Sequence, residues 1–259
     1  MLRLLALCCA SVAARPLVVS NVGDSITAHA AASNNNMTYP AQLARILGPD
    51  YVVYNNGESG HCMINNAYCG SGPAGSWRHP CLATSSTPAC SGNCSYWDSP
   101  QYVNATTCSP DIVTIMLGTN DAKWCNWYGA PNGVPAGAGT QFAADYRRMI
   151  GIFKSLPSQP KVFVVLPPPA ISQCQQTGPA GNASVCLAYN MSFHAINEIF
   201  PVLQRQIAQE AGADGVIDVW TALNGTNIST SATADGIHPR DDALGVIAQT
   251  IADTITNAA

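Results

Sequence analysis

A serine hydroxyl attacks an ester only when a base takes its proton, and the base works best when a third group fixes its orientation. This 259-residue chain offers one set of residues for those three roles. Ser25, in "VGDSIT", supplies a hydroxyl, and His238, in "DGIHP", supplies an imidazole. Asp235, three residues before the histidine, supplies a carboxylate for the other ring nitrogen. An acyl-transfer site also needs donors aimed at the developing negative charge. Gly60, in "NNGESGH", offers an uncrowded backbone amide; Asn120, in "LGTNDAKW", a side-chain amide; and Ser25 its own backbone amide. Each segment also has a plainer reading. Gly-Asp-Ser is an ordinary turn composition, and "DGIHP" suits a turn before a proline-started helix.

What would bring such distant residues together is a parallel sheet. Apolar, β-branched runs recur at Leu17 to Val22, Tyr51 to Tyr54, Ile112 to Leu117, Lys161 to Leu166 and Gly215 to Val219. They read as short, fully buried strands. Between them lie helical spacings, such as Phe142, Tyr146, Met149, Ile150 and Phe153, or Leu244, Ile247, Ile251 and Ile255. Strands alternating with helices predict an α/β fold with a parallel sheet covered on both faces. Ligands of such sheets bind beyond the carboxyl ends of the strands. The four segments above follow strands one, two, three and five, so all fall on that rim. A further helix is expected over Tyr189 to Ala211, kinked or divided by Pro201.

Two stretches break the alternation: a Cys-rich insertion at about 61–108 and a smaller one at about 172–186. Both read as decorations on a single domain, 15–259. The opening "MLRLLALCCASVAARP" has Arg3, an apolar run from Leu4 to Val12 and small residues to Ala14. That layout is a signal peptide over residues 1–14, and it is much shorter than the roughly 20 apolar residues of a membrane span. Secretion follows, and the cysteines agree with it. Two of the eleven lie in that segment; of the other nine, Cys62, Cys69, Cys81, Cys90, Cys94, Cys108 and Cys125 crowd one stretch, and Cys174 and Cys186 bracket another. They read as disulfides with one thiol left over. "CSGNC" at Cys90 to Cys94 lacks the second ligand pair of a zinc site, so no metal is expected. Seven glycosylation sequons, at Asn36, Asn93, Asn104, Asn182, Asn190, Asn224 and Asn227, fit a secreted glycoprotein. Charged residues make up 10% of the chain and the formal net charge is -4, which argues against nucleic-acid or anionic-membrane partners.

"GDSIT", "NGESG", "GTND" and "DGIHP", in that order, resemble the four blocks of the SGNH/GDSL hydrolase superfamily. Linking sequence agrees: "TYPAQLARIL", "YWDSPQY", "PDIVTIMLGTND" and "VFVVLPPPA" are similar to secreted esterases of that superfamily, among them sialate and xylan O-acetylesterases. The resemblance implies a three-layer α/β/α sandwich on a five-stranded parallel, flavodoxin-like sheet. It implies Ser25 as nucleophile, His238 as base with Asp235 behind it, and Ser25, Gly60 and Asn120 around the oxyanion. It implies no cofactor, and a small-molecule or glycan ester as substrate.

The function expected is hydrolysis of short-chain, acetyl-type esters on carbohydrate. A lipase- or thioesterase-like acyl hydrolase and a non-catalytic carbohydrate-binding glycoprotein are the alternatives. Trp77, Trp97, Trp124 and Trp127 fall in loops near the rim, where they either stack on sugar rings or anchor the loops. His29, His61, His79 and His194 read as structural or solvated, Asp24 and Asp121 as partners of nearby backbone, and Lys123 as solvated.

Overall fold

The computed structural model describes residues 15–65, 94–127, 138–171 and 191–258. The expected strands form one five-stranded parallel sheet: β1 (Leu17–Gly23), β2 (Tyr51–Gly57), β3 (Ile112–Met116), β4 (Lys161–Val165) and β5 (Gly215–Ile217), in spatial order β2-β1-β3-β4-β5. That order is flavodoxin-like, and the chain reverses its winding between β1 and β3.

Helices cover both faces, as the alternation requires. On one face, α3 (Pro100–Thr107), α5 (Ala138–Lys154) and α6 (Phe200–Glu210) bury Ala105, Phe142, Tyr146, Met149, Ile150, Phe153 and Phe200 against Val113, Ile115 and Val162. On the other, α2 (Tyr39–Leu47) and α8 (Asp241–Ala258) bury Tyr39, Leu43, Leu244, Ile247, Ile251 and Ile255 against Val19, Ile112 and Phe163. Three shorter helices complete the numbering: α1 (Ser25–Ala28) and α4 (Trp124–Trp127) at the rim, and α7 (Val219–Ala222) after β5.

One expectation is corrected and another is made specific. β2 is not fully buried: it is an outer strand, and Val52 and Tyr54 stand exposed. Composition alone does not separate an edge strand from a central one, because both are apolar and β-branched. The helix expected from Tyr189 to Ala211 is divided. A π-helical turn over Ala195–Ile199 leads into α6, whose first turn holds Pro201. Pro201 has no N–H to continue the π-helical pattern, which ends as α6 begins.

The two ends of the Cys-rich stretch meet. The Cys62 amide donates to the Cys94 carbonyl at 2.7 Å, and the Tyr96 amide to the Cys62 carbonyl at 2.9 Å. Tyr96 and α3 then pack into the core, so the later part of that stretch belongs to the main layers. Cys94 is disulfide-bonded and Cys108 carries a free thiol. Cys69, Cys81, Cys90, Cys174 and Cys186, the side chain of Cys125, and the expected signal segment lie outside the described residues. No described helix is long and apolar enough to cross a membrane.

Candidate active site

The site starts where β1 stops. At Gly23 a Cβ would fall 1.9 Å from Thr27 Oγ1, so only glycine lets the strand turn this tightly into α1. Asp24 caps that helix, its Oδ1 accepting from the Ile26 amide at 3.0 Å. Ser25 is thereby the first helical residue, partly exposed at the carboxyl rim of the sheet.

His238 arrives from the opposite end of the chain on a loop moulded by backbone bonds. Asp235 Oδ1 accepts from the amides of Ile237 (3.0 Å) and His238 (2.9 Å), while its Oδ2 lies 2.6 Å from His238 Nδ1. Gly236 has φ +91°, and a Cβ there would meet the Ile171 carbonyl oxygen at 2.3 Å. The Ile171 amide in turn donates to the Gly236 carbonyl at 2.7 Å, docking the loop beyond β4. On the far side of the ring, His238 Nε2 lies 2.9 Å from Ser25 Oγ.

With Asp235 ionised, the arrangement favours one tautomer of the imidazole. An ionised carboxylate only accepts, so Nδ1 carries the proton and Nε2 is left as acceptor for the serine hydroxyl. The His238 side chain is 13% exposed and that of Asp235 23%, so the relay is sheltered yet open to a ligand at the rim. Chemically it can take the proton from Ser25 and return it to a leaving group.

The two expected donor loops lie side by side. After β2, the Glu58 amide donates to the Gly23 carbonyl at 2.9 Å, and Gly60 adopts φ +82° with open space where a Cβ would stand. After β3, Asn120 is buried and its Nδ2 donates to the His61 carbonyl at 3.2 Å. An amide nitrogen carries two hydrogens, and the other is unspent among the described residues. Ser25, Asp235 and His238 are therefore joined by direct bonds, and Asn120 touches the residue after Gly60. No described group of three or more His, Cys, Asp or Glu side chains is arranged to hold a metal ion.

Among the neighbouring residues, Asp121 and Lys123 depart from their expected roles. Asp24 does bond nearby backbone, and burial pushes its carboxyl up to about 6 against the opposing pull of the Ile26 amide, His238 and Lys123. Asp121 instead bonds backbone far away in sequence, accepting from the Met63 and Ile64 amides at 2.8 Å each. Burial pushes it up to about 7 despite those bonds. Lys123 is buried, not solvated. Trp97 and Trp127 are anchors: Trp97 Nε1 donates to the Met63 carbonyl at 2.8 Å beneath the Arg148 guanidinium, and Trp127 packs edge-on against Phe200 at 4.9 Å. Trp77, His79 and the side chain of Trp124 lie outside the described residues. His29 is exposed, His194 pairs with Glu198 at 3.1 Å, and His61 Nδ1 lies 3.0 Å from the Ser59 carbonyl. The residue that sequence reading missed is Asn126, buried behind the donor loops, for which composition and spacing give no signal.

A parallel sheet with this strand order, covered by helices on both faces, is an α/β/α fold, and Ser25, His238 and Asp235 are joined at its carboxyl rim. The chain belongs to the GDSL-like lipase/acylhydrolase family, whose profile matches residues 22–243. It is 26% identical over 235 residues to an acetylxylan esterase of Xylanibacter ruminicola, covering 84% of this chain and 38% of that protein. The chain thus spans little more than a third of that curated relative's length. Two solved structures share the fold. One, from Agrobacterium tumefaciens str. C58, is 22% identical with a TM-score of 0.62, covering 94% of this chain and 100% of the other. The second, a carbohydrate acetylesterase family member from Sinorhizobium meliloti, is 18% identical with a TM-score of 0.60, covering 93% and 98%.

Proposed function

We propose that this chain is a secreted serine esterase that removes short acyl groups, acetyl above all, from carbohydrate. The observation that carries the reading is the unbroken relay from Ser25 Oγ through His238 to Asp235, with contacts of 2.9 and 2.6 Å. His238 takes the Ser25 proton as Oγ bonds to the ester carbonyl carbon. The Ser25 and Gly60 amides and Asn120 Nδ2 hold the oxyanion; the alcohol leaves with the proton from His238, and water then clears the acyl-enzyme. No residue in this scheme requires a metal or an organic cofactor.

Carbohydrate as acyl carrier is supported by the acetylxylan esterase to which the chain is similar. Secretion rests on the signal-like residues 1–14, and a single domain over 15–259 on the continuous sheet. The exposed sequons at Asn36, Asn224 and Asn227 suit glycan attachment, and the disulfide at Cys94 suits an oxidising compartment. The test is acetate release from acetylated xylan, pectin and sialic acid by purified protein, together with acetyl, butyryl and octanoyl aryl esters. Release from a polysaccharide with preference for acetyl supports the reading. Preference for octanoyl with no release from any glycan replaces it with a lipase-like one.

A further inference from the structure

Gly60 and Asn120 stand on loops that follow different strands, β2 and β3, with β1 between them. The paired register of the sheet ends at Gly57 and Met116, and one further bond, from the Glu58 amide to the Gly23 carbonyl, still stops short of either donor. Something else must set the spacing of two donors that act on one oxygen atom. Five contacts made by three side chains do so. Asn120 Nδ2 donates to the His61 carbonyl at 3.2 Å. Asn126 Nδ2 reaches Cys62 Sγ at 3.1 Å while also donating to the Asn120 carbonyl at 3.0 Å. The Asp121 carboxylate receives the Met63 amide on Oδ2 and the Ile64 amide on Oδ1, both at 2.8 Å.

Residues 61 to 64 are thus gripped in register by Asn120, Asn126 and Asp121. The grip is fully enclosed: Asp121 is 0% exposed, Asn120 3% and Asn126 6%. The Asp121 carboxyl receives two successive amides on its two oxygens at once, which orients both. Held by the β3 loop, it fixes the β2 loop immediately after Gly60. Burying the carboxyl costs stability, and it offsets that cost by satisfying two amides that would otherwise be buried without a partner.

Resting on the esterase reading above, we infer that Asp121 and Asn126 are positioning residues that hold the Gly60 and Asn120 donors at the separation the oxyanion requires. Neither touches substrate. A misplacement of about 1 Å in a reacting constellation costs about 10²-fold in rate. The loss falls on kcat, because the oxyanion exists only past the ground state.

A double-mutant cycle tests this with aryl acetate as substrate. Asp121→Asn should lower kcat by about 10- to 100-fold, with KM within about threefold of wild type. In the Asn120→Ala background the same change should cost clearly less than in wild type, since only the Gly60 donor is then left to misplace. Asn126→Leu, carried through the same cycle, decides the matter if Asp121→Asn does not fold. Fully additive losses, or a rise in KM at constant kcat, would overturn the positioning role. Labelling of Ser25 by a phosphonate ester, run alongside, separates the two claims. Labelling with additive losses sinks only the positioning role, whereas unlabelled, inactive wild type sinks the esterase reading and the positioning role with it.

Discussion

Ser25 Oγ and His238 Nε2 lie 2.9 Å apart across 213 positions of sequence. Neither residue is held there by the other. Ser25 is placed by the stop of β1 at Gly23 and the Asp24 cap, and His238 by the Asp235 carboxylate and the docking of Gly236 on Ile171. Two independently built turns converge because their elements share the carboxyl rim of one parallel sheet.

Asp235→Asn tests the orientation of the ring. An amide at that position can present a donor to Nδ1 and so favour the tautomer whose Nε2 holds the proton and cannot accept from Ser25. Loss of kcat by about 10³- to 10⁴-fold, with little change in fold, is expected by analogy with the Ser-His-Asp relay of serine proteases. Steady-state kinetics with circular dichroism on the same sample checks it; near wild-type kcat would contradict the tautomer assignment.

Gly236→Ala tests the loop itself. The residue has φ +91° and its new Cβ would face the Ile171 carbonyl oxygen at 2.3 Å. The loop must shift and carry His238 with it. A loss of about 1–3 kcal/mol in stability, together with at least a tenfold fall in kcat, should appear in chemical denaturation and in kinetics. Unaltered values would show that the loop is more tolerant than its packing suggests.

Stability should depend on pH in a direction opposite to that of most carboxylates. Burial raises Asp24 to about 6 and Asp121 to about 7, above the ordinary range for the unfolded chain. A raised group contributes stability that is fully present below its unfolded pKa and is lost as pH rises through the folded value. Between pH 5 and 8 these two groups therefore favour the acid side. Asp111, Glu210 and Asp214, all lowered in the fold, change their contribution only at more acid pH. The thermal midpoint should be several degrees higher at pH 5 than at pH 8, and Asp24→Asn should flatten the difference. Differential scanning calorimetry reads this directly; a midpoint that rises toward pH 8 would contradict the sign.

What could be read in advance was the strand pattern and which segments meet at the rim. Five apolar runs announced five strands, and Ser25, Gly60, Asn120, Asp235 and His238 stood out because their residue types suit one reaction at one rim. What escaped was identity of partners. Asp121 looked like a turn residue because nothing in "GTND" says that its carboxylate will receive amides from Met63 and Ile64. Lys123 looked solvated yet is buried, and of the two roles open to Trp127 its packing against Phe142 and Phe200 gives the anchoring one. Val52 and Tyr54 matched buried strands in composition, and only the sheet order left them at an edge. Asn126 gave no signal at all, since a carboxamide acquires its role from what surrounds it.

The most direct measurement is mass-spectrometric mapping of a fluorophosphonate adduct on the purified protein, paired with hydrolysis of an aryl acetate. One adduct on Ser25 is expected, abolished together with activity in Ser25→Ala and slowed in His238→Ala. An adduct on another residue, or a Ser25→Ala protein that hydrolyses the ester at the wild-type rate, would contradict the assignment of Ser25 as nucleophile.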